Sequence, residues 1–372
     1  MKNLAALLAV AASALVVAGG GTAANAHSAA AVCPAPPVGY THCHALVVTD
    51  EHGNPQASSS PTGLSPGNIK TAYNFPASGG AGKTIAIVDA YDDPNAAADL
   101  NVFINQYSLP FCSGGSFSKV NQTGGTSYPR KNSGWALEIA LDIEWAHAIA
   151  PCANILLVEA TTNSFTNLLA AEDYAKAHAD YVSNSWGASE FSSETLYDLH
   201  FLQPAVSFFV SSGDAGLPAE YPSASPNVIS VGGTTLHLNL SQADPGFETG
   251  WSSGGGGCSA YELANAAQLS TSQSLCGTKR ATPDVSLDAD PASGVSVYDS
   301  VRYQGQAGWF TVGGTSASSP MWAGRSAVAG AIVNALYVYG NNIPYRDIKI
   351  GNNGAPCMTG YDLCTGRGSW NG

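Results

Sequence analysis

The sequence predicts an α/β protein: a parallel β-sheet with helices on both faces, built as one domain. Two observations predict it. From Asn68 onward, short apolar runs of strand length alternate with stretches of helical pattern, the arrangement that produces strand–helix–strand crossovers. Residue types that carry chemistry also gather at the downstream ends of those runs, where open parallel sheets present their sites. Those ends are Asp89, Ser183-Asn184-Ser185-Trp186-Gly187 and Ser211-Ser212-Gly213-Asp214.

In chain order, residues 1–26 read as a secretory signal. Lys2 supplies the positive start, Leu4 to Val17 the apolar stretch, and Ala24-Asn25-Ala26 a cleavage site of the A-x-A kind. Residues 27–67 are rich in Pro, Ser and Ala, with one apolar run at Ala45-Leu46-Val47-Val48. They read as a short extension, a reduced pro-segment that lies on the domain or lacks fixed structure. Residues 68–372 form the domain itself. Its strands are expected at Thr84–Ala90, Ile155–Ala160, Tyr181–Trp186, Ser207–Ser211 and Val228–Val231. Helices are expected at 95–107, 135–149, 165–179 and 194–203, and a long apolar one from Ala317 to Tyr339. No internal repeat interrupts this order.

The chain has 372 residues, 45% of them hydrophobic and 11% charged, enough for one large core. Its formal charge is −13, from 14 Lys+Arg against 27 Asp+Glu, and no basic run occurs. That balance argues against a nucleic-acid partner. After the signal no apolar run is long enough for a membrane span, so a secreted, extracellular monomer is expected. All 8 cysteines follow the signal, and an even number there suits an oxidising compartment. Proximity pairs Cys33 with Cys43, Cys258 with Cys276 and Cys357 with Cys364, leaving Cys112 for Cys152.

The segment Gly313-Gly314-Thr315-Ser316-Ala317-Ser318-Ser319-Pro320 places one hydroxyl at the start of a helix. Unpaired backbone N–H groups there can hold an oxyanion, so Ser316 is a candidate nucleophile; an ordinary helix cap would read the same way. The expected partner for a nucleophilic serine is histidine. Here the one His-Gly pair, His52-Gly53, precedes the core and has no helix to present it. Glu138 and Asp142 instead sit four apart on a helix, sharing a face with apolar neighbours Trp135, Trp145 and Ile149. Two acids held together against apolar surface cannot both ionise easily, so one proton is shared. Glu144 points to another face and reads as structural. Asp214 closes a Ser-Gly-Asp turn and is either a turn former or, kept protonated, a hydrogen-bond donor to an oxyanion. The strand ending Asn184-Ser185-Trp186-Gly187 and the stretch Trp251–Gly257 suit pairing with an extended peptide.

A serine served by two carboxylates rather than histidine resembles the sedolisin family of serine-carboxyl peptidases. The resemblance covers about Gly63 to the C-terminus. It rests on the Glu138/Asp142 helix followed by Ala150-Pro151, the Asp214 turn, the Ser316 segment, and the ending Asp347-Ile348…Gly360-Tyr361-Asp362. It implies a subtilisin-like fold and peptide hydrolysis in acid, with protein or peptide substrates. Ser316 would be the nucleophile, Glu138 its base and acid, Asp142 the partner of Glu138, and Asp214 the oxyanion acid. Asp347 and Asp362, with Ile348 and Gly360 through their backbone carbonyls, would hold one structural calcium ion. Two departures stand out. Only a short extension precedes the core where the family carries a long pro-domain, and Met358 stands where many members have glycine. The alternative of another class is a catalytically silent secreted peptide-binding protein on the same scaffold. A glycoside hydrolase is disfavoured, because carboxylates four apart on one helix lie side by side rather than across a cleft.

Overall fold

The computed structural model describes residues 28–238, 246–340 and 343–372. The expected signal segment, 1–26, lies outside them. The described chain opens with short strands β1 (Ser28–Ala31), β2 (His42–Cys43) and β3 (Leu46–Thr49), then helix α1 (Pro66–Ala72). Next come β4 (Thr84–Ala90), α2 (Ala96–Tyr107), β5 (Phe117–Asn121), α3 (Ser133–Ile149), β6 (Asn154–Ala160), α4 (Phe165–His178) and β7 (Tyr181–Asn184). They are followed by β8 (Trp186–Ser189), β9 (Ser207–Ser211), β10 (Glu220–Tyr221), β11 (Ile229–His237), β12 (Phe247–Gly250) and β13 (Gly257–Leu263). The chain closes with α5 (Ala266–Cys276), β14 (Lys279–Thr282), β15 (Val285–Asp288), β16 (Val295–Tyr303), β17 (Gln306–Gly313), α6 (Thr315–Ala329), α7 (Ala335–Tyr339), and the paired strands β18 (Tyr345–Arg346) and β19 (Ser369–Trp370).

The central sheet runs β12-β11-β9-β7-β4-β6-β5, with β15 also on β11, and all its pairs but β11–β12 are parallel. Helices α3 and α6 lie on one face and α4 on the other, as the alternating pattern requires. Helix α3 starts where the Asn132 side chain accepts from the amides of Gly134 and Trp135. From Gly134 to Ile149 every residue is buried, so α3 is a central helix wrapped on all sides rather than a surface one. Charges on such a helix are withheld from water, which is where Glu138 and Asp142 are found.

Three expectations are corrected. The helix placed at 194–203 is two short 3-10 turns, Glu194–Leu196 and Asp198–Phe201. The helix placed from Ala317 to Tyr339 stops at Ala329: Gly330 takes a left-handed conformation (φ +64°), and α7 is a separate helix. The extension is neither loose nor peripheral. Strand β3 lies between β1 and β17 in a four-stranded sheet, β1-β3-β17-β16, so Ala45–Val48 belongs to the fold. All four disulfides pair as proximity suggests: Cys33–Cys43, Cys112–Cys152, Cys258–Cys276 and Cys357–Cys364. Among the described residues, no helix is long and apolar enough to cross a membrane.

Candidate active site

Ser316 is buried in the first turn of α6. The residue before that helix, Gly314, has φ +99°, and an added Cβ would fall 2.6 Å from Asp214 Oδ2. Glycine is required there both by the backbone and by the close approach. Pro320 cannot donate to the Ser316 carbonyl as a helical residue would, and the Ser185 hydroxyl approaches that oxygen instead, at 3.4 Å.

Helix α3 presents Glu138 and Asp142 one turn apart, both wholly buried. The Ser185 hydroxyl donates to Asp142 Oδ1 at 2.9 Å. Neither oxygen of Glu138 has a hydrogen-bond partner. The Ser316 hydroxyl donates at 3.3 Å to the Ser185 carbonyl, yet it lies close enough to Glu138 to lower that acid's pKa. Glu138 and the Ser316 hydroxyl are thus neighbours held apart from each other, and apo geometry of this kind can tighten when a ligand binds.

A third acid, Asp89 at the end of β4, stands beside this pair with both oxygens unpartnered. Burial pushes Asp89 up to about 8. Burial, then the charge of Asp89, holds Glu138 well above the usual carboxylate range. Burial, Asp89 and Glu138 do the same to Asp142. Three acids in one dry pocket cannot ionise together, so they hold protons between them well above the pH at which free carboxyls lose theirs.

Asp214 comes in from the turn after β9. Its Oδ1 accepts from the amide and hydroxyl of Thr315 at 2.8 and 2.9 Å. Its Oδ2 is buried without a partner, and burial pushes the group up to about 6. A protonated Oδ2 would be a donor set against Gly314, at the start of α6. The four candidates named from sequence therefore converge. The glycine-rich stretch 254–257, expected to bind an extended peptide, instead backs the Asp214 turn: Gly255 N–H donates to the Gly213 carbonyl at 2.7 Å, and a Cβ on Gly255 would fall 2.1 Å from the Ser212 carbonyl oxygen.

Sequence reasoning marks Asp89 by its place at a strand end, without its partners, and misses two residues. His44 and Glu220 give no signal in sequence. His44 reaches the site through its backbone, since its carbonyl accepts from the Ser316 amide at 3.1 Å. Its imidazole turns away from the serine toward Ser211 and Glu220. His52 is exposed, with its imidazole 3.6 Å from Glu51 Oε1. Among the described residues, His42, His44 and Glu220 form the one group of three or more His, Cys, Asp or Glu side chains close enough to share a metal, with ligand atoms within 4.8 Å. Within that cluster His44 bonds Glu220, while Nδ1 of His42 is buried without a hydrogen-bond partner.

The C-terminal loop supplies hard oxygens. Asp347 accepts the Gly360 amide on both carboxylate oxygens, at 3.1 and 3.2 Å. Asp362 accepts the amides of Met358, Cys364 and Thr365 at 2.6, 3.1 and 2.8 Å. Among the described residues, the carbonyls of Ile348 and Gly360 accept no hydrogen bond. Two carboxylates with spare lone pairs and two unused carbonyls fit a calcium ion. Met358 gives its amide to Asp362 and leaves its side chain exposed.

Comparison with known proteins bears on the family and the fold. The family model described as Subtilase family, Peptidase_S8, matches residues 121–336, more than half of the chain. The chain belongs to the subtilase family. Within it, the similarity is to sedolisins. Kumamolisin of Bacillus sp. (strain MN-32) is 30% identical over 366 residues, covering 84% of this chain and 63% of that protein. Sedolisin of Pseudomonas sp. (strain 101) is 32% identical over 203 residues, 44% of this chain. The chain spans 63% and 33% of the lengths of these two relatives. A solved structure of Pseudomonas sedolisin, a serine-carboxyl proteinase complexed with two molecules of pseudo-iodotyrostatin, superposes with a TM-score of 0.72 at 26% identity. It covers 84% of this chain and 96% of that one. The chain is a sedolisin-type member of the subtilases, with their subtilisin-like fold.

Proposed function

We propose that this subtilase is a secreted, acid-active serine-carboxyl endopeptidase. Ser316 attacks the peptide carbonyl while Glu138 takes its proton. Asp142, held by Ser185, orients Glu138 and shares the pair's proton. The Ser316 amide and a protonated Asp214 hold the oxyanion, and Glu138 returns its proton to the leaving nitrogen. Water then hydrolyses the ester on Ser316. The observation that carries this reading is the buried, unpartnered Oδ2 of Asp214 set against Gly314 at the start of α6. Only a protonated acid can donate there, so the mechanism belongs to acid. An endopeptidase is favoured because main chain runs through the cleft on both sides of Ser316, from β2 to β3.

Four disulfides support an extracellular location. One structural calcium ion held by Asp347, Ile348, Gly360 and Asp362 would brace the loop beyond α6. The test is digestion of a denatured protein at several pH values, with fragments read by mass spectrometry. Cleavage in acid that vanishes in Ser316→Ala is expected; cleavage by Ser316→Ala equal to wild type would overturn the assignment.

A further inference from the structure

Two histidines and a carboxylate close around one glycine, Gly187 of β8. His42 stands opposite Gly187 in the antiparallel β2–β8 pair. His44 follows two residues on, and its ring meets that of His42 edge to face, with centroids 5.0 Å apart. Glu220 arrives from β10, which pairs with β8 on the other side. A Cβ added to Gly187 would fall 2.8 Å from His44 Cε1, 3.1 Å from His44 Nε2 and 3.2 Å from Glu220 Oε2. The missing side chain thus leaves a space bordered by both donor atoms. One ligand atom from each of the three residues lies within 4.8 Å of the others.

The donors are arranged as a metal requires. His44 Nδ1 is 2.7 Å from Ser211 Oγ, and that hydroxyl donates in turn to the Asn184 carbonyl at 3.4 Å. Ser211 therefore accepts the Nδ1 proton, which fixes the tautomer whose Nε2 can coordinate. Glu220 Oε2 is 3.0 Å from that Nε2. Two donors bound to one ion at ~2.0–2.2 Å and a tetrahedral angle stand about 3.3 Å apart, so this pair needs little movement. His42 must come about 1.5 Å closer, and its side chain is only half-buried. Its Nδ1 is buried with no hydrogen-bond partner, a cost that coordination would remove. The Glu220 side chain is 14% exposed, which gives an ion a path from solvent. Two imidazoles with one carboxylate suit zinc, whereas calcium and magnesium take oxygen ligands alone.

We propose that His42, His44 and Glu220 bind one divalent transition-metal ion, zinc matching the donor set best, with water in the fourth position. The ion displaces the proton between His44 and Glu220, and that proton leaves to solvent. Two of the ligands belong to the N-terminal segment and the third to the wall of the domain. The metal therefore ties β2 and His44 in place over the start of α6, where the His44 carbonyl accepts from the Ser316 amide at 3.1 Å. Zinc keeps that amide covered, and its removal loosens the cover. Capture of the ion needs no peptidase activity.

The full chain carrying Ser316→Ala, which keeps it whole, is titrated with zinc chloride by calorimetry near neutral pH. Excess calcium is present to fill hard-oxygen sites. One zinc ion per chain is expected. His42→Ala and Glu220→Gln should each weaken binding at least tenfold, whereas His52→Ala, which removes an exposed histidine outside the cluster, should leave it unchanged. Cobalt in place of zinc should give the intense visible absorption of a four-coordinate ion, lost in His42→Ala. Zinc should also slow hydrogen exchange across residues 42–46, and not in His42→Ala. That variant leaves the His44–Glu220 bond in place, so it decides the question even where Glu220→Gln is unstable. Absence of stoichiometric zinc, or zinc held as tightly by both variants, overturns the inference. Zinc bound at the site with no change in exchange overturns its role as a clamp. Digestion of a denatured protein by the wild type in acid tests the peptidase reading separately.

Discussion

Replacing Asp214 by Asn separates a proton requirement from a hydrogen-bond requirement. Oδ1 of the wild-type acid accepts from the amide and hydroxyl of Thr315 at 2.8 and 2.9 Å, and an Asn carbonyl keeps both bonds. Its NH₂ then occupies the place of Oδ2 and donates without needing a proton. In the wild type the donor exists only while the acid is protonated, and burial sets its pKa at about 6. The charge of His44 is a lowering influence on that value, so loss of the imidazolium can only move it up. Each pH unit above the pKa removes about nine-tenths of the competent form, equivalent to about 1.4 kcal/mol. Between pH 5 and pH 7 this group alone should therefore reduce kcat/KM about tenfold in the wild type and leave Asp214→Asn unaffected. Asp214→Ala, lacking any donor, should lose about 10²–10³-fold at every pH. The assay is kcat/KM on a quenched fluorescent peptide from pH 3 to pH 8. An Asn variant whose upper limb coincides with the wild type's would reduce Asp214 to a turn former and refute the oxyanion assignment.

Other expectations are as direct. Glu138→Ala should be nearly as damaging as Ser316→Ala, because groups acting as a unit fail together; a variant retaining a tenth of wild-type kcat would dismiss Glu138 as the base. Stability should be greatest in acid, because Asp89, Glu172 and Asp299 are pushed to about 8 and Asp93 to about 7, chiefly by burial. Folded pKa values above unfolded ones stabilise fully below about pH 4, and that contribution is lost as the pH rises through about 7–8. The Tm of Ser316→Ala should accordingly fall between pH 4 and pH 8, and a Tm that rises over that interval contradicts the burial argument. Chelation near neutral pH should lower Tm by mass action, and Asp362→Asn should abolish that response. A Tm indifferent to chelator in the wild type removes the calcium ion from the account.

The sheet was legible because its strands are short apolar runs separated by helices, and β4 and β9 fall where those runs lie. The i, i+4 spacing of Glu138 and Asp142 likewise survives folding, since a helix fixes that neighbourhood by itself. What sequence could not show depends on long-range packing. Ala45–Val48 looks like an isolated apolar run until β17 is set beside it. His44 meets Ser316, 272 positions away in the chain, only because β2 and β3 bracket the cleft. Glu220 gains its meaning from a histidine that the pattern around it does not announce. The end of α6 was misjudged for a local reason: apolar sequence continues past Gly330, but the left-handed turn there stops the helix. The Asp89 position followed from the strand-end rule, whereas its proximity to two further acids needed α3 laid across β4.

The most direct test of the central claim is to quench turnover in acid and map the covalent intermediate. A rapidly quenched reaction with a slowly deacylating peptide ester should show a mass increment of the acyl group on the proteolytic fragment that contains Ser316, and none in Ser316→Ala. Turnover in acid with no increment on that fragment, or with the acyl group on a different residue, would contradict the account.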